Sequence, residues 1–96
     1  MRILILGAAE RDLAEGREFY EKQGQGLGAY FLNTLFSDIE SLHLYAGIHR
    51  VFFGKYHRLL SRRFPFAIYY TMDADTVLIH AILDCRRNPS WMRNRL

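Results

Sequence analysis

The apolar residues of this 96-residue chain change their rhythm near the middle, and that change restricts the fold more than any other feature. Up to Leu44 they recur at spacings of three and four, whereas from Ile48 onward they run in short stretches bounded by turn residues. The first spacing lines one face of a helix; short runs rich in aromatic and β-branched residues suit the pleated surface of a strand. Helices followed by consecutive strands predict an α+β domain of two layers, because each amphipathic element must bury its apolar face on another.

Residues 2–6 read as a first strand that stops at Gly7. Ala9, Leu13, Gly16 and Tyr20 mark a helix over residues 8–23, broken by Gly24, Gln25 and Gly26. Leu27, Phe31, Leu35, Ile39 and Leu42, widened by Leu32 and Phe36, mark a second over residues 27–44. The short break folds the two into an antiparallel hairpin. Strands are expected over residues 48–53, 56–62, 66–72 and 76–83, with turns near Gly54 and at Asp73-Ala74-Asp75. Phe66, Ile68, Tyr70 and Met72 share one face of their strand, while residues 76–83 are apolar on both faces, as in a covered central strand. Pro89 should end the sheet, leaving residues 91–96 as a frayed tail. The expected architecture is one domain, residues 1–96: an N-terminal strand and a helical hairpin packed on a mostly antiparallel sheet, β-α-α-β-β-β with room for an extra short strand.

Charge is divided along the chain. Glu10, Asp12, Glu15, Glu18 and Glu21 crowd the first quarter, and basic residues dominate from Arg50 onward, within a net charge of +3. Such a bipolar surface admits an acidic or nucleic-acid partner without demanding one. A lone cysteine, Cys85, excludes an internal disulfide and fits a reducing cytosol. No apolar run is long enough for a signal sequence or a membrane span, so a cytoplasmic protein is expected.

Few residues carry recognisable chemistry. The glycines at 24, 26 and 28 follow a helix instead of a strand, so they punctuate a hairpin and do not cradle a dinucleotide. His43, His49, His57 and His80 lack the spacing of a zinc site, and neither a metal nor a cofactor is predicted. Arg58, Arg62 and Arg63 precede Phe64-Pro65-Phe66, and Arg86 and Arg87 leave the neighbouring strand where pairing returns it towards Phe64. Guanidinium forks gathered at one end of a sheet bind phosphates or carboxylates, and Trp91 adds a surface for stacking on a base or filling a protein pocket. Solubilising charge on a sheet edge is the plainer account of the same arginines.

Four motifs in this order resemble the RelE/ParE superfamily of toxins from type II toxin–antitoxin systems, which includes plasmid stabilization proteins. They are Ala-x-x-Arg-Asp-Leu (8–13), Gly-x-Gly-x-x-Phe (26–31), Arg-Phe-Pro-Phe-x-Ile-Tyr-Tyr (63–70) and Arg-Arg-Asn-Pro (86–89). The resemblance implies a growth-inhibiting bacterial toxin, silenced in a hetero-oligomer with a cognate antitoxin that wraps its helices and sheet edge. RelE-like members cleave mRNA on the ribosome; ParE-like members poison DNA gyrase. The RNA-cleaving branch carries an arginine at the position of Ala67 and a tyrosine or histidine in the tail, where this chain has Trp91 and Met92. Losing a cationic donor and a proton-transfer group each costs orders of magnitude in rate, and arginine cannot replace the second. The expectation therefore leans towards a ParE-like protein that binds its target through Arg58, Arg62, Arg63, Arg86, Arg87 and Trp91, and away from an endoribonuclease. No confident catalytic residue is assigned.

Overall fold

In the helical hairpin, glycine lets two helices touch. A computed structural model describes residues 1–96, and in it α1 (Gly7–Gln23) lies against α2 (Leu27–Glu40). A Cβ on Gly16 would sit 2.5 Å from the Phe31 ring, and one on Gly28 would sit 2.8 Å from the Arg17 carbonyl. The turn is fastened by Glu21, whose carboxylate accepts the Gly26 and Gly28 amides at 3.1 and 2.9 Å. It thereby caps α2 from the neighbouring helix, where free N–H groups and the helix dipole favour negative charge. Those two hydrogen bonds hold the Glu21 carboxyl below its ordinary range.

The second helix does not run unbroken to Leu44. It pauses at Ser41, whose Oγ donates to the Asp38 carbonyl at 2.6 Å and competes with the helix ladder, and resumes as the short α3 (Leu42–Tyr45). The strands that follow are shorter than the pattern predicts: β2 is Val51–Phe52 and β3 is Tyr56–Leu60. The hairpin between them passes through Phe53 and Gly54, both at positive φ.

Five strands form one sheet in the order β1-β5-β4-β3-β2, with β1 (Arg2–Ile5) parallel to β5 (Thr76–Asp84) and the other pairs antiparallel. The long hairpin of β4 (Phe66–Asp73) and β5 turns through Ala74 and Asp75, the two residues between the paired Asp73 and Thr76. One face of the sheet meets the helices in a core that includes Phe31, Leu35, Ile39, Phe66, Ile68, Tyr70, Val77, Ile79 and Ile82. Tyr20, Phe31, Phe64 and Phe66 pack ring to ring there, with centroids 4.8–6.2 Å apart.

The tail is ordered. Residues Pro89–Arg95 form α4, started by Asn88, whose side chain accepts the Ser90 amide at 2.7 Å, and by Pro89 in the first turn. α4 lies over the face of the sheet opposite the helices, where Met92 joins Tyr56, Ala67, Tyr69, Ala81 and Leu83 in a second core. No helix is long and apolar enough to cross a membrane.

Candidate functional site

A bulge prepares the second face. Tyr69 pairs with Ala81 but Tyr70 pairs with Ile79, so His80 is an extra residue in β5. Val77 and Ile79 before it and Ile82 after it face the helices, while Ala81 and Leu83 turn to the other side. The alternation of β5 thus changes parity half-way, which sends Ala81 and Leu83 to the outer core and Ile82 to the inner one.

α4 is tied to the body by a buried ion pair. Arg95 Nη2 lies 2.8 Å from Oδ1 and 2.9 Å from Oδ2 of Asp12, a carboxylate only 5% exposed on α1. The pairing of β1 with β5 ends at Ile5 and Ile79, and Asp12 accepts the Ile82 amide beyond that point at 3.0 Å. Burial pushes the Asp12 carboxyl up, and the Ile82 amide and Arg95 partly offset this. At the end of α4, the Tyr56 hydroxyl donates to the Leu96 carbonyl at 3.0 Å.

Around this second core, cations lie on aromatic rings. Arg58 sits 3.8 Å above Phe52 and Arg50 5.6 Å from it; Arg93 is over Phe53, Lys55 over Tyr56, and Arg87 4.3 Å from Trp91. None of these five makes an ion pair, so their charge is available to a partner. The rings hold the guanidinium planes without neutralising them.

The six residues singled out in the sequence are not one cluster. Arg58, Arg87 and Trp91 belong to the outer, α4-covered side. Arg62 is turned towards α2, bonded to Asp38 at 3.2 Å and to Ser37 at 3.2 Å, and Arg63 donates to the Tyr30 hydroxyl. Arg86 is forked onto Asp84 at 2.9 and 2.7 Å, which lowers the Asp84 carboxyl and keeps the guanidinium charged. The Cys85 amide does meet the Pro65 carbonyl, at 2.7 Å, so the two arginine segments share one end of the sheet. A cleft of about 370 Å³ opens beside them, lined by Phe19, Asp12, Arg86, Arg87, Trp91 and Arg95 among others. Its charges are mostly spoken for, since Asp84 and Asp12 hold Arg86 and Arg95.

Proton-transfer groups on this face are occupied. His80 shares a 2.7 Å hydrogen bond with Thr71, its ring packs edge-on against Tyr56, and burial, with Lys55 nearby, pushes it down towards the neutral form. The Cys85 thiol is pushed up by desolvation against the opposing pull of Arg58. No group of three or more histidine, cysteine, aspartate or glutamate residues is placed to hold a metal ion.

No protein-family model matches the chain, and no curated protein matches it in sequence. Seven chains of solved structures do match. One, described as the chromosomal ParDE TA system from P. aeruginosa, superimposes with a TM-score of 0.78 over 85% of this chain and 92% of that one, at 16% identity. The fold is ParE-like. Within this ParE-like frame, sequence reasoning missed Phe52, Phe53, Arg50 and Arg93, which the β2–β3 hairpin and α4 bring to the same side. The Asn-Pro pair at 88 and 89 was the available signal for α4, since asparagine caps helices and proline suits their first turn.

Proposed function

We propose that the chain is the toxin half of a type II toxin–antitoxin pair, ParE-like, and that it acts by binding DNA gyrase, not by cutting RNA. One observation carries the choice of binding: the outer face pairs five unneutralised cations with aromatic rings, while its histidine and hydroxyl groups are already bonded within the chain. Such a surface supplies charge and apolar anchors to a partner but has no poised acid or base. The antitoxin belongs on the opposite flank. There an apolar groove of about 520 Å³ runs beside the edge strand β1, between Ile3, Leu4, Leu13, Leu32 and Phe36. An edge strand with a groove beside it accepts an added strand or helix.

Inducing the chain without an antitoxin should stop DNA synthesis before protein synthesis, and the pure protein should inhibit supercoiling by gyrase. The double variant Arg58→Ala, Arg93→Ala should lose most of both effects while staying folded, with a stability loss of about 1–2 kcal/mol from the two cation–ring contacts. Protein synthesis failing first, with new mRNA ends, would establish the ribosome-dependent RNase in its place. Soluble expression with no growth arrest would mark a chain that only binds antitoxin.

A further inference from the structure

Two of the histidines meet on the helix side of the sheet, far from any role in the outer face. The Tyr70 hydroxyl lies 2.6 Å from Nδ1 of His49 and accepts the Gly47 amide at 3.3 Å. Beside it the His57 ring stacks on Tyr70, centroids 5.1 Å apart and planes 19° apart, and His57 Nδ1 lies 2.8 Å from the His49 carbonyl. These contacts fasten the segment between α3 and β2. Apolar anchoring there is sparse: Ile48 is 74% exposed, and Gly47 adopts a φ of 94°.

The hydrogen count fixes the tautomers. A carbonyl only accepts, so His57 carries its proton on Nδ1. The buried Tyr70 hydroxyl accepts from Gly47 and has no acceptor but His49 Nδ1 for its own proton, so that nitrogen is bare. A proton added to His49 lands on that nitrogen, and the fully buried Tyr70 hydroxyl then loses the acceptor of its own proton. We propose that His49 is an acid-released catch: neutral, it holds residues 46–50 on the sheet through Tyr70, and protonation frees them.

The surroundings favour the neutral ring. His57 on β3 faces His49 as a potential second positive charge. Tyr45 of α3, Asp38 of α2 and Arg62 beyond β3 line the same cleft of about 480 Å³. Of these, Asp38 is engaged by Ser61 at 2.6 Å and by Arg62, so no free carboxylate is left to stabilise a charged His49. Arg50, next in the chain, turns outward over Phe52. Burial, with His57 second, pushes His49 below the usual imidazole value. The catch is therefore intact above the ordinary value near 6.5 and is lost as the pH falls below it. This inference is independent of the target proposed above.

The test is NMR on the full chain between pH 7.5 and 4.5, following the His49 ring titration and hydrogen-exchange protection of the Gly47 amide. Protection should fall by about tenfold for each pH unit from the ordinary imidazole value near 6.5 down to the observed His49 titration, and level off below it. His49→Asn offers Tyr70 an uncharged acceptor in the place of Nδ1, so its protection should not change with pH. Tyr70→Phe should leave Gly47 poorly protected throughout. Constant wild-type protection, a fall that continues undiminished below the His49 titration, or the same fall in His49→Asn would each overturn the proposal.

Discussion

The two faces of the sheet are built on opposite terms. The helix side is a continuous interior of large rings and branched chains with charge confined to its rim, whereas the outer side has a thin core closed by a seven-residue helix and ringed by cations. The first can be deep because two helices of 17 and 14 residues cover it. Having only α4 as cover, the second relies on polar fastenings at Asp12 and Tyr56. The difference separates roles: one face supplies stability, and the other can carry exposed charge because less of the fold depends on it.

The sharpest way to break this comparison is to empty the better-packed face. Phe31 is fully buried and touches Tyr20, Phe64 and Phe66. Phe31→Ala should cost about 3–5 kcal/mol, read from urea unfolding, since the cavity lies between rings that cannot collapse into it. A loss no larger than that of Met92→Ala on the outer face would mean the two cores contribute alike.

The fastening of α4 comes next. Arg95→Ala leaves Asp12 buried without its cation, with only the Ile82 amide to satisfy it. The loss should be about 3 kcal/mol at neutral pH, the low end for breaking a buried pair, because Arg95 itself keeps some solvent contact. Burial already raises Asp12, and removing Arg95 raises it further. A raised carboxyl favours the protonated native state, so the variant's deficit should shrink as the pH falls towards 4 and grow as it rises. Urea midpoints at pH 4 and 7 check this; an equal deficit at both would show that Arg95 acts by packing on Trp91, whose ring centroid lies 5.7 Å from its guanidinium, not by charge.

The helix side was largely legible in the sequence, the outer side hardly at all. Phe31, Leu35, Ile39 and Leu42 announce their face by spacing alone, because a helix repeats locally. The parity change at His80 cannot be seen that way, since a bulge is defined by what the partner strand does. Nor can the meeting of Asp12 and Arg95, which lie 83 residues apart. Arg62 and Arg86 read as free cations because no sequence rule announced their bonds to Asp38 and Asp84. Recognisable motifs revealed the family of folds; side-chain direction decided which arginines remain available.

The smallest effect tests how the better face is held together at its open end. Glu21 is exposed, yet two amide hydrogen bonds lower its carboxyl, so ionisation and folding favour each other. Its contribution is present above the ordinary carboxylate range and is lost as the pH falls through the lower native value. Glu21→Gln keeps an acceptor for one amide but removes the charge facing the α2 N-terminus. The variant should be slightly less stable than the parent at pH 7, and the gap should close as the pH falls through the lowered native value of Glu21. The other carboxylates titrate in both proteins and cancel in the difference. A gap that does not narrow as the pH falls through the carboxylate range would mean that Glu21 holds the hairpin by shape alone, and that the dipole of α2 contributes nothing to the face it covers.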